Sequence, residues 1–127
     1  MSEQEQILGE FVVDKYRSHY YAGASGDFNP IHLDDEFAKK VGLGGIILHG
    51  LCTMAYVYRA VMGEKDPSLL KKFKVRFRQA VKPHDKLIVK SNGNSSKDNL
   101  LTLELSAENQ KGEQVITNAL AVLEESK

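Results

Sequence analysis

Two side chains in this sequence are spaced to move protons together. Asp27 and His32 stand five positions apart in the run Tyr21-Ala22-Gly23-Ala24-Ser25-Gly26-Asp27-Phe28-Asn29-Pro30-Ile31-His32, on either side of a rigid Asn29-Pro30 turn. Imidazole exchanges protons near neutral pH, and a carboxyl can serve as partner acid or base where its surroundings raise its pKa. Moving the elements of water requires one proton delivered and one removed, and a paired Asp and His is suited to that work. The plainer alternative is a loop in which Asp27 caps nearby backbone and His32 is a satisfied structural histidine. For an isolated Asp-x4-His that alternative would win.

The elements around the pair have readable signals. Residues 7–13 read as a first strand. Asp14 reads as the N-cap of a helix over 15–24, with Tyr16 and Tyr20 one turn apart and an end near Gly26. Residues 28–33 read as a loop, because Pro30 pushes Asn29 out of the helical region and forbids a helix running through. Asp34 is a second N-cap. Asp35 and Glu36 sit in the first turn of a short helix and Lys39 and Lys40 in its last, which suits the macrodipole, and Gly42 closes it. Residues 50–62 form a helix that is apolar nearly all round, with Thr53 and Arg59 the clear polar exceptions. Such a helix must be buried on nearly all sides, and in a chain this short a curved sheet is what can wrap it.

The remaining sequence supplies that sheet. Over 70–81, Phe73, Val75, Phe77, Gln79 and Val81 alternate with Lys72, Lys74, Arg76, Arg78 and Ala80. Residues 86–91 read as the next strand, ended by an Asn92-Gly93-Asn94 turn. Leu101, Leu103, Leu105 and Ala107 then oppose Thr102, Glu104, Ser106 and Glu108, and Asn109-Gln110-Lys111-Gly112 is another turn. Residues 113–123 are apolar on both faces in their second half, as a central or covered strand would be. One buried helix and an antiparallel meander make an α+β layout, read as a single domain over 1–127.

Composition narrows the function. With 17 basic and 17 acidic residues the net charge is zero, so no nucleic-acid or anionic-membrane partner is expected. Cys52 is the single cysteine, which excludes an intrachain disulfide and argues against a thiolate zinc cluster. The first residues carry no basic or apolar signal region, and the apolar stretch 46–62 is below the roughly 20 residues a membrane span needs. The expected setting is soluble and cytoplasmic.

Residues 21–51 resemble the MaoC-like dehydratases, a group that includes the (R)-specific enoyl-CoA hydratases. The family motif is close to Y-A-x-x-S-G-D-x-N-P-I-H, followed by a short helix, a glycine-rich turn and an H-G-[ML] start of a long helix, here Leu48-His49-Gly50-Leu51. Val75-Arg76-Phe77 and Asn109-Gln110-Lys111-Gly112-Glu113 resemble two further family segments, so the likeness covers most of the chain. One departure lies at Gln79-Ala80-Val81-Lys82-Pro83-His84-Asp85, where Ala80 replaces a family Pro and His84 a Gly. The resemblance implies a hot-dog fold, an antiparallel sheet wrapped around a long central helix. It implies Asp27 and His32 as the catalytic pair and Asn29 as the residue that holds the loop and imidazole. Gly50 then offers its backbone N–H to a thioester carbonyl, and unpaired donors and the dipole at a helix start suit a developing oxyanion. His49 lies near the site, with a structural role at the helix start favoured over proton transfer. The reaction implied is reversible syn hydration of a trans-2-enoyl thioester to the (R)-3-hydroxyacyl thioester. No cofactor is needed, and Asp27, His32 and His49 show no metal-ligand spacing.

Two other functions compete. A hot-dog thioesterase would often carry an acidic residue on the central helix, and 50–62 has none. A non-catalytic acyl-binding subunit of a hot-dog dehydratase complex would lack the pair that this chain retains, whereas a partner-dependent subunit would keep the pair and need a second chain to complete the substrate tunnel. The substrate thioester could be carried by CoA or by an acyl carrier protein. The basic strand face at Lys72, Lys74, Arg76 and Arg78 could meet either, although a solvated outer face is the plainer reading. Cys52 and the tyrosines Tyr56 and Tyr58 read as packing residues and His19 as a surface residue. An open sheet edge predicts a dimer, either homodimer or heterodimer.

Overall fold

The computed structural model describes residues 5–125. Five strands, β1 (Gln6–Val12), β2 (Leu70–Phe77), β3 (Lys86–Lys97), β4 (Leu100–Glu108) and β5 (Gln114–Glu124), form one antiparallel sheet in the order β1-β3-β4-β5-β2. Helices α1 (Arg17–Ser25), α2 (Asp35–Lys40) and α3 (Gly50–Met62) lie between β1 and β2 in the chain. Cys52, Val57, Val61 and Met62 of α3 share one core with Leu87 and Val89 of β3, Leu105 of β4 and Val115 and Ile116 of β5. Each fully buried Val or Leu contributes about 1.5–3 kcal/mol relative to exposure, so this seam is what seats α3 on the sheet. It is the hot-dog arrangement. No helix among the described residues is long and apolar enough to cross a membrane.

Helix α3 has the bounds its sequence predicts, but it is not enclosed on nearly all sides. Leu51 is 64% exposed, and Ala55 and Arg59 continue that open side at four-residue intervals. The sheet covers only one side of the helix, which leaves this stripe to α1 and solvent.

Several expected boundaries move, each for a local reason. Asp14 does not cap α1 directly. Its carboxylate accepts from Tyr16 N–H at 2.9 Å and its carbonyl from Arg17 N–H at 3.0 Å, which closes a turn before the helix begins at Arg17. Residues 28–33 are not plain loop, because Pro30–His32 forms a 3-10 turn with Pro30 first, the position where a missing N–H costs nothing. Asp34 caps α2 as expected, accepting from the N–H groups of Glu36 and Phe37. Strand β2 stops at Phe77 rather than Val81, because Val81 turns its carbonyl to Leu48 N–H at 2.7 Å, tying that segment to the loop before α3.

The largest shift concerns the Asn92-Gly93-Asn94 turn. Those residues lie inside β3, where the ladder slips between Ser91 and Gly93 and the Asn92 side chain bonds Ser106 Oγ at 3.0 Å. The reversal comes at Asp98 and Asn99, with φ of 54° and 64°, directly after the Lys97–Leu100 pair. Two left-handed residues suit the twist of a tight hairpin, and Asp and Asn tolerate that region. At the departure from the family pattern, His84 occupies φ 72°, where glycine is the easier choice, and its N–H bonds Val13 O at 2.8 Å. Strand β5 has neighbours on both sides, in keeping with its two apolar faces. Strands β1 and β2 form the two edges, and β2 carries exposed Lys72, Lys74 and Arg76.

Candidate active site

The site is assembled by three successive turns. Helix α1 ends at Gly26, whose φ of 80° reverses the chain so that Asp27 follows beyond the last turn. Asp27 Oδ1 then accepts from Asn29 N–H at 3.2 Å, and Asn29 Oδ1 accepts from Ile31 N–H at 3.1 Å. The two side chains therefore stiffen the loop by bonding backbone two residues ahead. The 3-10 turn that follows points His32 inward, where it is 8% exposed.

A second segment fixes the imidazole. Asp35 Oδ1 accepts from Ile46 N–H at 2.9 Å and Ile47 N–H donates to Ile31 O at 3.1 Å, laying 46–47 beside the loop. His32 Nδ1 then lies 2.8 Å from Ile47 O. A carbonyl oxygen only accepts, so Nδ1 carries the hydrogen and Nε2 of the neutral ring keeps its lone pair. That Nε2 faces Asp27 Oδ2 at 4.0 Å. The gap is too long for a direct hydrogen bond and suits a bridging oxygen atom. The Asp27 side chain is 54% exposed against 11% for His32, so the carboxylate stands at the mouth and the imidazole at the floor.

His49 sits directly behind the pair. It is 2% exposed, its ring stacks on His32 at 3.9 Å between centroids, and Nε2 lies 3.0 Å from the Asp27 carbonyl oxygen. By the same logic Nε2 donates, which leaves Nδ1 as a buried acceptor with no partner among the described residues. Tyr21 closes the other side, 4.8 Å from the His49 ring. Gly50 opens α3, whose start has no side-chain cap. Cys52 and Thr53 N–H groups both reach His49 O, whereas Gly50 N–H is one of the donors a helix start leaves free. The Phe77 ring lies against Gly50, 3.4 Å from where a Cβ would be, so close packing and an available N–H coexist there.

Two cavities meet at Gly50. One of about 350 Å³ is lined by Tyr21, Asp27, His49, Leu51 and Phe77, and one of about 300 Å³ by His32, Thr53, Phe77 and Arg78. Asp27, His32, His49 and Gly50 are thus brought together, and Asn29 serves the loop through its backbone bonds. One donor atom each from Asp27, His32 and His49 falls within 4.8 Å of the others, a grouping able to hold a cation. Local spacing gave no sign of it, because His49 comes from a separate segment. Sequence reasoning also missed the Ile47 carbonyl and the Phe77 ring. A backbone carbonyl carries no residue-type signal, and Phe77 reads as an ordinary position of an alternating strand.

Cys52 follows on the buried face of α3 at 5% exposure. Burial pushes its thiol up, and the charge of Arg17 pulls only partly back. Little thiolate forms at pH 8, and thiolate is the reacting species. Iodoacetamide at pH 8 is therefore expected to label the native chain much more slowly than the denatured chain, as read by mass. Rapid native labelling would contradict this.

Comparison with known proteins agrees with the fold. Residues 6–113 match the family model described as MaoC like domain. A probable enoyl-CoA hydratase 2 of Dictyostelium discoideum is 35% identical over 108 residues, covering 82% of this chain and 35% of that protein. The peroxisomal enoyl-CoA hydratase 2 of Arabidopsis thaliana is 43% identical over 67 residues, covering 50% of this chain and 22% of that protein. The chain thus spans only about a third or less of the length of these curated relatives. The unliganded R-hydratase PhaJ1 of Pseudomonas aeruginosa superposes with a TM-score of 0.86 at 23% identity, over 100% of this chain and 83% of that one. With a family model matched over most of its length and that fold in common, the chain belongs to the MaoC-like dehydratase family.

Proposed function

We propose that this chain reversibly adds water to a trans-2-enoyl thioester, giving the (R)-3-hydroxyacyl thioester. The observation that carries the reading is the 4.0 Å gap between His32 Nε2 and Asp27 Oδ2, beside the free N–H at the start of α3. A water oxygen held between the two groups has a base on one side and a carboxyl on the other. His32 Nε2 takes its proton as the oxygen bonds to C3, Asp27 in its protonated form delivers a proton to C2, and the proton left on His32 then passes to Asp27, which restores both groups. Meanwhile Gly50 N–H and the dipole of α3 stabilise charge on the thioester oxygen. Dehydration reverses these steps. Both groups act from one face, so addition is syn.

The absence of any acidic residue from Gly50 to Met62 speaks against water activation from α3, the arrangement a thioesterase of this fold would use. The retained pair speaks against a purely acyl-binding subunit. Exposed Leu51 and Phe77 line the site cavity, Phe28 is exposed on the neighbouring loop, and β1 and β2 leave sheet edges open, so we propose that the working form is a dimer.

The test is hydration of crotonyl-CoA, followed by loss of the enoyl absorbance, with chiral analysis of the product. Formation of the (R)-3-hydroxy thioester supports the reading. Release of free CoA without hydration would replace it with the thioesterase reading.

A further inference from the structure

A third cavity, of about 380 Å³, runs between α1 and the open side of α3. Its walls are Tyr21 and Ala24 of α1 and Cys52, Ala55 and Tyr56 of α3, and Arg17 and Arg59 also line it. We propose that this cavity is an acyl subsite for thioesters whose chain ends in a carboxylate, read by the guanidinium groups of Arg17 and Arg59. The inference rests on the hydratase reading for the reacting end of the substrate, but the binding preference it implies does not depend on turnover.

The cavity adjoins the site rather than standing apart from it. Tyr21 lines both this cavity and the one that holds Asp27, His49 and Gly50. At about 1.5 Å per residue, Arg17 lies roughly 6 Å along α1 from Tyr21, and Arg59 roughly 13 Å along α3 from Gly50. Both cations therefore stand away from the reacting carbonyl, where the far end of an acyl chain would lie. At about 30 Å³ per water-sized atom the cavity holds about a dozen atoms, enough for a six-carbon chain with its terminal carboxylate.

The charges favour an anion there. The lining includes two arginines and no acidic side chain. Among the described residues, neither guanidinium has a carboxylate within 4.0 Å. Arg59 lies 5.9 Å from the Phe11 ring, a cation–π contact that holds its position without neutralising it. The charge of Arg17 is felt at both Tyr56 and Cys52 inside the cavity, and the Asp14 carboxylate opposes it at Tyr56 as the weakest of the influences there. A neutral chain would bring a methyl group to two cations that have no carboxylate in direct contact. A carboxylate would meet two planar forks suited to bidentate bonding.

The experiment compares adipyl-CoA with hexanoyl-CoA, saturated thioesters of equal chain length that cannot be hydrated. Their binding to the whole chain is measured by calorimetry, beside kcat/KM for hydration of 5-carboxy-2-pentenoyl-CoA and 2-hexenoyl-CoA. Adipyl-CoA is expected to bind at least tenfold more tightly than hexanoyl-CoA, with the same preference in kcat/KM. In Arg17→Gln/Arg59→Gln the ratio is expected to fall to near one. Equal wild-type affinities, or a preference unchanged in the double variant, would overturn the proposal. Weakening of both ligands by the same factor would also overturn it, because the arginines would then be reading the CoA phosphates common to both. If neither enoyl substrate is hydrated yet adipyl-CoA is still preferred through the arginines, the subsite stands and the hydratase reading falls. If the single-chain fold is lost in the double variant, as read by circular dichroism, the separate Arg17→Gln and Arg59→Gln variants decide by the same ratio.

Discussion

Crotonyl-CoA hydration is expected to fall at least a hundredfold in Asp27→Asn and again in His32→Gln, with both variants folded. Losing one general acid or base costs about 10²–10⁴ in rate, and the proposed reaction needs both. The substitutions are chosen to spare the scaffold. Asn at 27 keeps an oxygen that can accept from Asn29 N–H, as Asp27 Oδ1 does, but no longer transfers a proton. Gln at 32 keeps an amide N–H able to reach Ile47 O, the bond His32 Nδ1 makes, and lacks the basic Nε2. Thermal midpoints within a few degrees of wild type, together with the lost rate, would assign the chemistry to these groups. Activity retained in either folded variant would remove that residue from the mechanism. Because the pair acts as a unit, the double variant should lose little more than the worse single one.

The second expectation concerns the N–H of Gly50. Gly50→Pro is expected to lower kcat by about 10²–10³ without loss of stability, whereas Gly50→Ala has a much smaller effect on kcat. Removing one donor from an oxyanion site costs about that factor. Proline fits this position unusually well. Gly50 is the first residue of α3, where the backbone N–H has no intrahelical partner and the proline ring suits the helix. His49 before it has φ −59° and ψ 137°, the extended conformation that a following proline demands. An added Cβ would meet the Phe77 ring at 3.4 Å, ordinary contact distance, and the alanine variant controls for that contact. A kcat for Gly50→Pro equal to that for Gly50→Ala would show that the N–H contributes nothing. A stable proline variant that still binds hexanoyl-CoA but has lost rate would identify α3 as the electrostatic element of the site, because a ring Cδ that merely blocked the thioester would abolish binding as well.

Much of the arrangement was legible because local rules coincide with tertiary demands. Gly50–Met62 is helical by pattern and also by packing, and Asp34 caps α2 in both accounts. Where they diverged, a long-range contact won. Asn92-Gly93-Asn94 has strong turn chemistry, yet the ladder with β4 carries β3 through it to Lys97. Alternation over 70–81 promised a strand four residues longer than β2, yet Val81 is taken by Leu48 N–H. Pairing partners of this kind lie far away in sequence, so no window of a few residues reports them.

By itself the sequence determined the helix at the centre, the strands around it and the Asp27–Asn29–His32 loop, because periodicity, caps and proline act over a few residues. Tertiary structure decided that His32 Nδ1 bonds Ile47 O and so leaves Nε2 toward Asp27. It decided that His49 stacks behind the pair and that Phe77 roofs Gly50. It also placed Arg17 and Arg59 on one cavity, although 42 positions separate them in the chain. These are relations between segments brought together only when apolar burial seats α3 on the sheet. Their geometry is set by packing, which no single segment encodes.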